Sequence, residues 1–165
     1  MGAFGAATAC KTLRLAGMKR IMSIDYGTKW IGIAITDAER KVALPFDVLE
    51  YRGDDELVEW LEKFVSEWDV GTIVLGLPIH LSGDESQMSQ RVRTIADKIK
   101  KRISVSVDLW DERLTSKEAA RVISELGKKS KDYEKVLNKI SATLILQSYL
   151  EAKRGPARNH DEREV

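Results

Sequence analysis

Cysteine, proline and net charge are all scarce in this chain of 165 residues. Its one cysteine, Cys10, can form neither an internal disulfide nor a cysteine-rich zinc site, which excludes the stapled scaffolds of small secreted proteins. Three prolines and 11 glycines are too few for a low-complexity linker or a collagen-like repeat. No apolar run approaches the roughly 18 to 20 residues of a membrane-spanning helix; the longest, Thr143 to Leu146, is fringed with polar groups, so no membrane partner is expected. Charge of one sign is lacking too. The 27 Lys and Arg against 26 Asp and Glu leave a formal +1, so no global field draws the molecule to polyanions and any basic footprint must be local.

What is present is a folding composition. With 43% hydrophobic and 32% charged residues, a chain of this length buries roughly two-thirds of its unfolded surface and needs no metal or bridge to hold a core. Residues 1–17, rich in Ala and Gly, lack helical or strand periodicity and read as an N-terminal extension, with Met18 as the expected natural start. Lys11 and Arg14 follow the apolar stretch instead of preceding it, unlike a secretory signal, which makes the cytoplasm the expected compartment. Residues 18–154 form the expected single domain, and 155–165 a flexible polar tail.

Within the domain, Lys19 to Asp25 and Trp30 to Asp37 are two strands joined by the turn composition Tyr26-Gly27-Thr28-Lys29. In the second, Ile31, Ile33 and Ile35 alternate with Gly32, Ala34 and Thr36, so one face is bulky and the other flat, and something must pack closely on the flat one. A third strand, Val42 to Tyr51, carries Pro45 and belongs near an edge. Leu57, Trp60, Leu61, Phe64, Val65 and Trp68 make the apolar stripe of a first helix. Thr72 to Leu77 reads as a central parallel strand, Ser86 to Arg102 as a helix, and Val105 to Leu109 as a half-exposed strand. Thr115 and Glu118 form a capping box before a helix over 116–126. A last helix, Tyr133 to Arg154, is apolar nearly all round in its middle and is expected to be buried. The sum is an α/β fold: a mixed sheet flanked by helices.

Asp25 ends the first strand, and Asp111-Glu112 end the fifth. If both strands run parallel to the fourth and flank it, their carboxyl ends share a rim where open α/β sheets bind ligands. Each acid alone also fits a plainer role: Asp25 as a turn residue bonding its own backbone, Asp111 and Glu112 as surface groups beside Arg113. Together they make a hard oxygen set suited to Mg²⁺ or Mn²⁺ and to phosphodiester hydrolysis.

These residues resemble a known family. Ile24-Asp25-Tyr26-Gly27-Thr28-Lys29, Ile33-Ala34, Val74-Leu75-Gly76-Leu77-Pro78, Asp111-Glu112-Arg113-Leu114-Thr115, and Ala142 through Leu146-Gln147-Ser148-Tyr149-Leu150 match the YqgF/RuvX family in order and spacing from Met18 to Glu151. The resemblance implies a ribonuclease H-like fold, with a five-stranded mixed sheet in the order 3-2-1-4-5. It also implies a metal-dependent nuclease, either a Holliday junction resolvase acting on branched DNA or a nuclease maturing the 5′ end of pre-16S ribosomal RNA. Carried over position by position, Asp25 and Glu112 match the family's metal-binding acids. The third position, usually Asp, is Asn138, which offers a carbonyl oxygen without charge. A chain that kept the fold and lost that acid would instead be a non-catalytic nucleic-acid or ribosome-associated binding protein.

Cations that could hold phosphates are Lys29 beside Asp25, Arg113 after Glu112, Arg91 near the start of the second helix, and the run Lys128, Lys129 and Lys131, which fits an ordinary solvated loop equally well. Trp60, Phe64 and Trp68 lie on an apolar stripe and are expected in the core, whereas Trp30 and Tyr26, flanking Lys29, are the candidates for stacking bases. His80, in the loop after Pro78, is a possible proton relay or an incidental loop residue. Asp25-x-Gly27-Thr28 also resembles the first phosphate loop of actin-like ATPases, but one domain of this length cannot supply the second half of such a site. A resolvase cutting symmetrically would be a homodimer and an RNA end-trimmer could be a monomer; the sequence leaves both open.

Overall fold

A computed structural model of the chain describes residues 17–79, 82, 85–112, 121, 125 and 132–155. Cys10, His80, Arg113, Lys128, Lys129, Lys131, most of the expected helix over 116–126 and nearly all of the two terminal segments lie outside the described residues. The strands are β1 (Arg20–Tyr26), β2 (Trp30–Thr36), β3 (Ala43–Glu50), β4 (Val70–Leu77) and β5 (Ser106–Asp111), and the helices α1 (Asp54–Trp68), α2 (Gln87–Arg102) and α3 (Tyr133–Arg154).

The strands form one sheet in the order β3-β2-β1-β4-β5. β1, β2 and β3 are antiparallel neighbours, while β4 runs parallel to both β1 and β5. Pro45 sits on the β3 edge, as expected, and the register slips there: Ile33 pairs with Asp47 but Ala34 with Pro45, leaving Phe46 as the extra residue of a bulge. Phe46 turns inward and meets Phe64 and Trp68 edge-on, at centroid distances of 4.9 and 5.1 Å.

Side-chain alternation divides the strands between two cores. Met22, Ile24 and Tyr26 of β1, Ile31, Ile33 and Ile35 of β2, and Ile73, Leu75 and Leu77 of β4 pack against α1 and α2. The stripe of α1 is core as expected, with Phe64 and Trp68 buried and Trp60 stacked on Phe64 at its margin. On the other face, Ile21, Ala34 and Val74 pack under Ala142, Ile145, Leu146, Tyr149 and Leu150 of α3. Burial of α3 all round is not observed: Val136 and Gln147 are exposed and Leu144 is only half covered. The sheet lies on one side of this helix, so one stripe of it is buried against the sheet.

The flat face of β2 is where α3 comes closest. A methyl group on Gly32 would lie 1.9 Å from the Asn138 carbonyl oxygen and 3.0 Å from the Lys139 nitrogen, so glycine is what permits helix and strand backbones to touch. The buried Ser23 hydroxyl donates to the Ala142 carbonyl oxygen at 2.6 Å, tying β1 to the same helix one turn further on. Helix ends follow ordinary electrostatics. Ser86 caps α2 by accepting from the Ser89 N–H at 3.0 Å, and Lys100, Lys101 and Arg102 occupy its last turn.

Candidate active site

β1 and β5 both run parallel to β4 and lie on either side of it, so their carboxyl ends open on one rim. Asp25 lies one residue beyond the Ile24–Leu75 pair, and by alternation its side chain shares the α3 face with Ile21 and Ser23. Its antiparallel partner is Gly32, the glycine on which Asn138 rests. Glu112 follows β5 directly. A methyl group on Gly76 of β4 would stand 2.3 Å from Glu112 Oε1 and 2.6 Å from Ile145 Cδ1, so Gly76 is the floor over which the Glu112 carboxylate lies. Asp25, Glu112 and Asn138, far apart in sequence, therefore converge on the α3 side of one rim.

Electrostatics mark the same place. The Asp25 carboxyl is pushed up to about 8 from an ordinary 3.8, first by burial and then by the negative charge of Glu112. Glu112 is pushed up to about 6, again first by burial and then by Asp111. Asp111 pairs with Leu77 at the end of β5, and alternation within the strand sets it on the face of Leu77, opposite the Gly76 face on which the Glu112 carboxylate lies. Two carboxylates that ionise reluctantly beside one another favour a cation between them, and such a hard oxygen set fits Mg²⁺ or Mn²⁺. Among the described residues no three Asp, Glu, His or Cys side chains form a metal-binding group, so an ion at this rim would be held by two carboxylates supplemented by an amide. Asn138 supplies that amide. Its Nδ2 donates to the Glu134 carbonyl oxygen of its own helix at 2.8 Å, and its Oδ1 faces the turn after Asp25, 3.4 Å from where a methyl group on Gly27 would be.

The cations divide. Lys29 is exposed in the β1–β2 turn, its ammonium 5.7 Å from the centre of the Trp30 ring. Arg91 lies on the opposite face of the sheet, its guanidinium 5.5 and 5.4 Å from the ring centres of Tyr26 and Tyr51 and its Nη2 3.5 Å from the Tyr26 hydroxyl. Tyr26 is not a stacking platform. It is 4% exposed and its hydroxyl donates to Asp54 Oδ1 at 2.7 Å, because one step along the strand from Asp25 turns a side chain into the α1/α2 core. Two features escaped the sequence reading: the floor role of Gly76, there taken only as part of a strand end, and the clamp of Asp54 between Tyr26 and Tyr51, whose signal was an acid in the first turn of α1.

A sheet in this order, with helices on both faces and acids at the carboxyl ends of the first and last strands, defines a ribonuclease H-like protein. Its fold is similar to that of T. thermophilus RuvC solved in complex with a Holliday junction substrate, with a TM-score of 0.52 at 14% identity over 84% of this chain and 97% of that one. Residues 19–152 match the model of the family described as RuvX: Holliday junction resolvase. Curated relatives named "Putative pre-16S rRNA nuclease" are 41% identical in Dictyoglomus thermophilum, over 81% of this chain and 96% of that protein, and 42% identical in Endomicrobium trichonymphae, with the same coverage. The chain belongs to the RuvX family.

Proposed function

We propose that this protein is a divalent-metal-dependent nuclease that hydrolyses phosphodiester bonds in structured nucleic acid, either precursor ribosomal RNA or branched DNA. The observation that carries the reading is the gathering of Asp25 and Glu112, from the ends of strands separated by β4, onto one partly buried rim, where burial and then the charge of Glu112 raise Asp25, and burial and then the charge of Asp111 raise Glu112. Asp25, Glu112 and the Asn138 carbonyl oxygen would hold the ion, which when bound supplies Lewis-acid polarisation of phosphate and activation of water. The chain's own part is to hold two carboxylates deprotonated at neutral pH in the presence of that charge, to seat α3 and Asn138 on Gly32 and leave room for Glu112 over Gly76, and to offer Lys29 to a flanking phosphate. The names of the curated relatives favour ribosomal precursor as substrate, and that of the family favours branched DNA. No helix among the described residues is long and apolar enough to cross a membrane.

One observation favours a second reading, a nucleic-acid binding protein without catalysis: the third position is the neutral amide of Asn138, already engaged with its own helix at Glu134. A cleavage assay on ribosomal precursor RNA and branched DNA with Mn²⁺ separates the two. The nuclease reading expects cleavage by the native chain, its loss in Asp25→Asn, and a rise in Asn138→Asp. Cleavage by none of the three leaves the binding reading.

A further inference from the structure

Trp30 opens β2 on the same face as Gly32 and Ala34, the face that carries the acids. Two residues along the strand from Gly32, which pairs with Asp25, it lies about 7 Å from that position. The residue is only half-buried. The ring is bracketed by cations: the Lys135 ammonium stands 4.5 Å and the Lys29 ammonium 5.7 Å from its centre. Lys135 comes from α3, one turn before Asn138, and is paired with Asp132 at 3.5 Å. An aromatic surface and two ammoniums from separate elements thus sit beside the acidic rim.

We propose that Trp30, with Lys29 and Lys135, is a subsite for an unpaired nucleotide next to the bond being cut: the indole stacks on the base, and the two lysines take the phosphates on either side of it. The inference rests on the nuclease reading and adds a substrate class to it, a strand with at least one unstacked base at the cleavage point. Every base has a π face, so the stack is indifferent to sequence, while a base inside a duplex is already stacked on its neighbours and cannot reach the ring. The lysines that cover the ring in the free protein are the groups a phosphate attracts most strongly, so the arriving backbone draws them outward and uncovers the indole for the base. The Trp30 position therefore separates single-stranded or flayed substrate from continuous duplex, whereas lysines alone would bind both.

The test is the anisotropy of labelled oligothymidylate, oligouridylate and a blunt DNA duplex with the full chain in EDTA, where no cleavage intervenes. Trp30→Ala and Trp30→Leu are expected to weaken both single strands about tenfold, equivalent to ~1.4 kcal/mol, and to leave the duplex unchanged, while Trp30→Phe retains single-strand affinity. Leucine keeps the apolar packing of the position without its π face, so a loss shared by Ala and Leu and restored by Phe is stacking and not folding. Lys135→Ala is expected to weaken all three probes and to lower the salt slope by about one. Equal affinity of native and Trp30→Leu for single strands, or an equal loss on duplex, overturns the subsite and leaves the nuclease reading standing. A native chain that binds none of the probes also overturns the subsite, and the nuclease reading stands or falls separately by the Mn²⁺ cleavage assay. A preference between the thymidylate and uridylate strands tells whether DNA or RNA is the better source of that nucleotide.

Discussion

At Asp25 folding and ionisation oppose one another within a single side chain. Its carboxyl is raised from 3.8 to about 8 in the folded chain, by burial first and the charge of Glu112 second, so the folded state binds a proton there that the unfolded state has released. A raised acid contributes stability that is complete below about pH 4 and is lost as pH climbs toward 8; Glu112, raised to about 6, loses its share earlier. In EDTA the native protein should therefore become less stable by several kcal/mol between pH 4 and 8, at about 1.4 kcal/mol per unit of displacement. Asp25→Asn removes most of that slope and should melt several degrees above the native chain at pH 8, as followed by circular dichroism. A flat native profile would mean that these carboxylates are not buried against charge. At the neighbouring position, Asn138→Asp adds a third negative charge, and calorimetric titration with Mn²⁺ should show about tenfold tighter binding, since ligand charge tunes the affinity of such sites.

At the level of elements, the site exists because α3 can lie flat on β2. The contact at Gly32 is backbone on backbone, with 1.9 Å available where a methyl group would go. Gly32→Ala must lift the helix, and with it Asn138, at a cost of about 3 kcal/mol, the upper part of the range for overpacked cores, measurable by urea unfolding. Gly76→Ala should behave differently. Its methyl group would meet the Glu112 carboxylate and Ile145 Cδ1, two side-chain ends and no backbone, so stability should fall by about 1 kcal/mol while metal affinity drops sharply as Glu112 is displaced. The alternation of bulky and flat residues in β2 was enough to foresee a close neighbour, but the strand's own residues carry no information about which helix supplies it. The last helix is a similar case: its nearly continuous apolar middle suggested burial on every side, whereas a single sheet covers only the stripe of Ala142, Ile145, Leu146, Tyr149 and Leu150.

For the molecule as a whole, the near balance of charge leaves no global field for polyanions, and the proposed metal binding should be visible as global stabilisation. At a Mn²⁺ concentration about a hundredfold above the dissociation constant, binding to the folded state alone adds about 2.7 kcal/mol. For a domain of this size that amounts to a rise of about 5 to 10 °C in melting temperature. The native chain at pH 8 should show it in scanning fluorimetry with Mn²⁺ and not with K⁺, and Asp25→Asn should show little. An equal shift in Asp25→Asn would place the ion elsewhere. Two cores on opposite faces of the sheet make this coupling direct, because α3 carries Asn138 at one end and much of the second core along its length.

Local pattern determined a good deal. The five strands, the stripe of α1 and the edge position of Pro45 all follow from periodicity and backbone chemistry acting over a few residues. The placement of Asp25 and Glu112 on one rim also followed once β4 was taken to run between their strands, and the match in five blocks supplied that order. Tertiary structure alone decided what each neighbour is: that Tyr26 and Arg91 belong to an Asp54 clamp on the far face, that Gly76 supports Glu112, and that Lys135 reaches Trp30. Periodicity tells a side chain which way to point, but partners separated by a hundred residues of chain are chosen by packing, and packing is a property of the assembled layers.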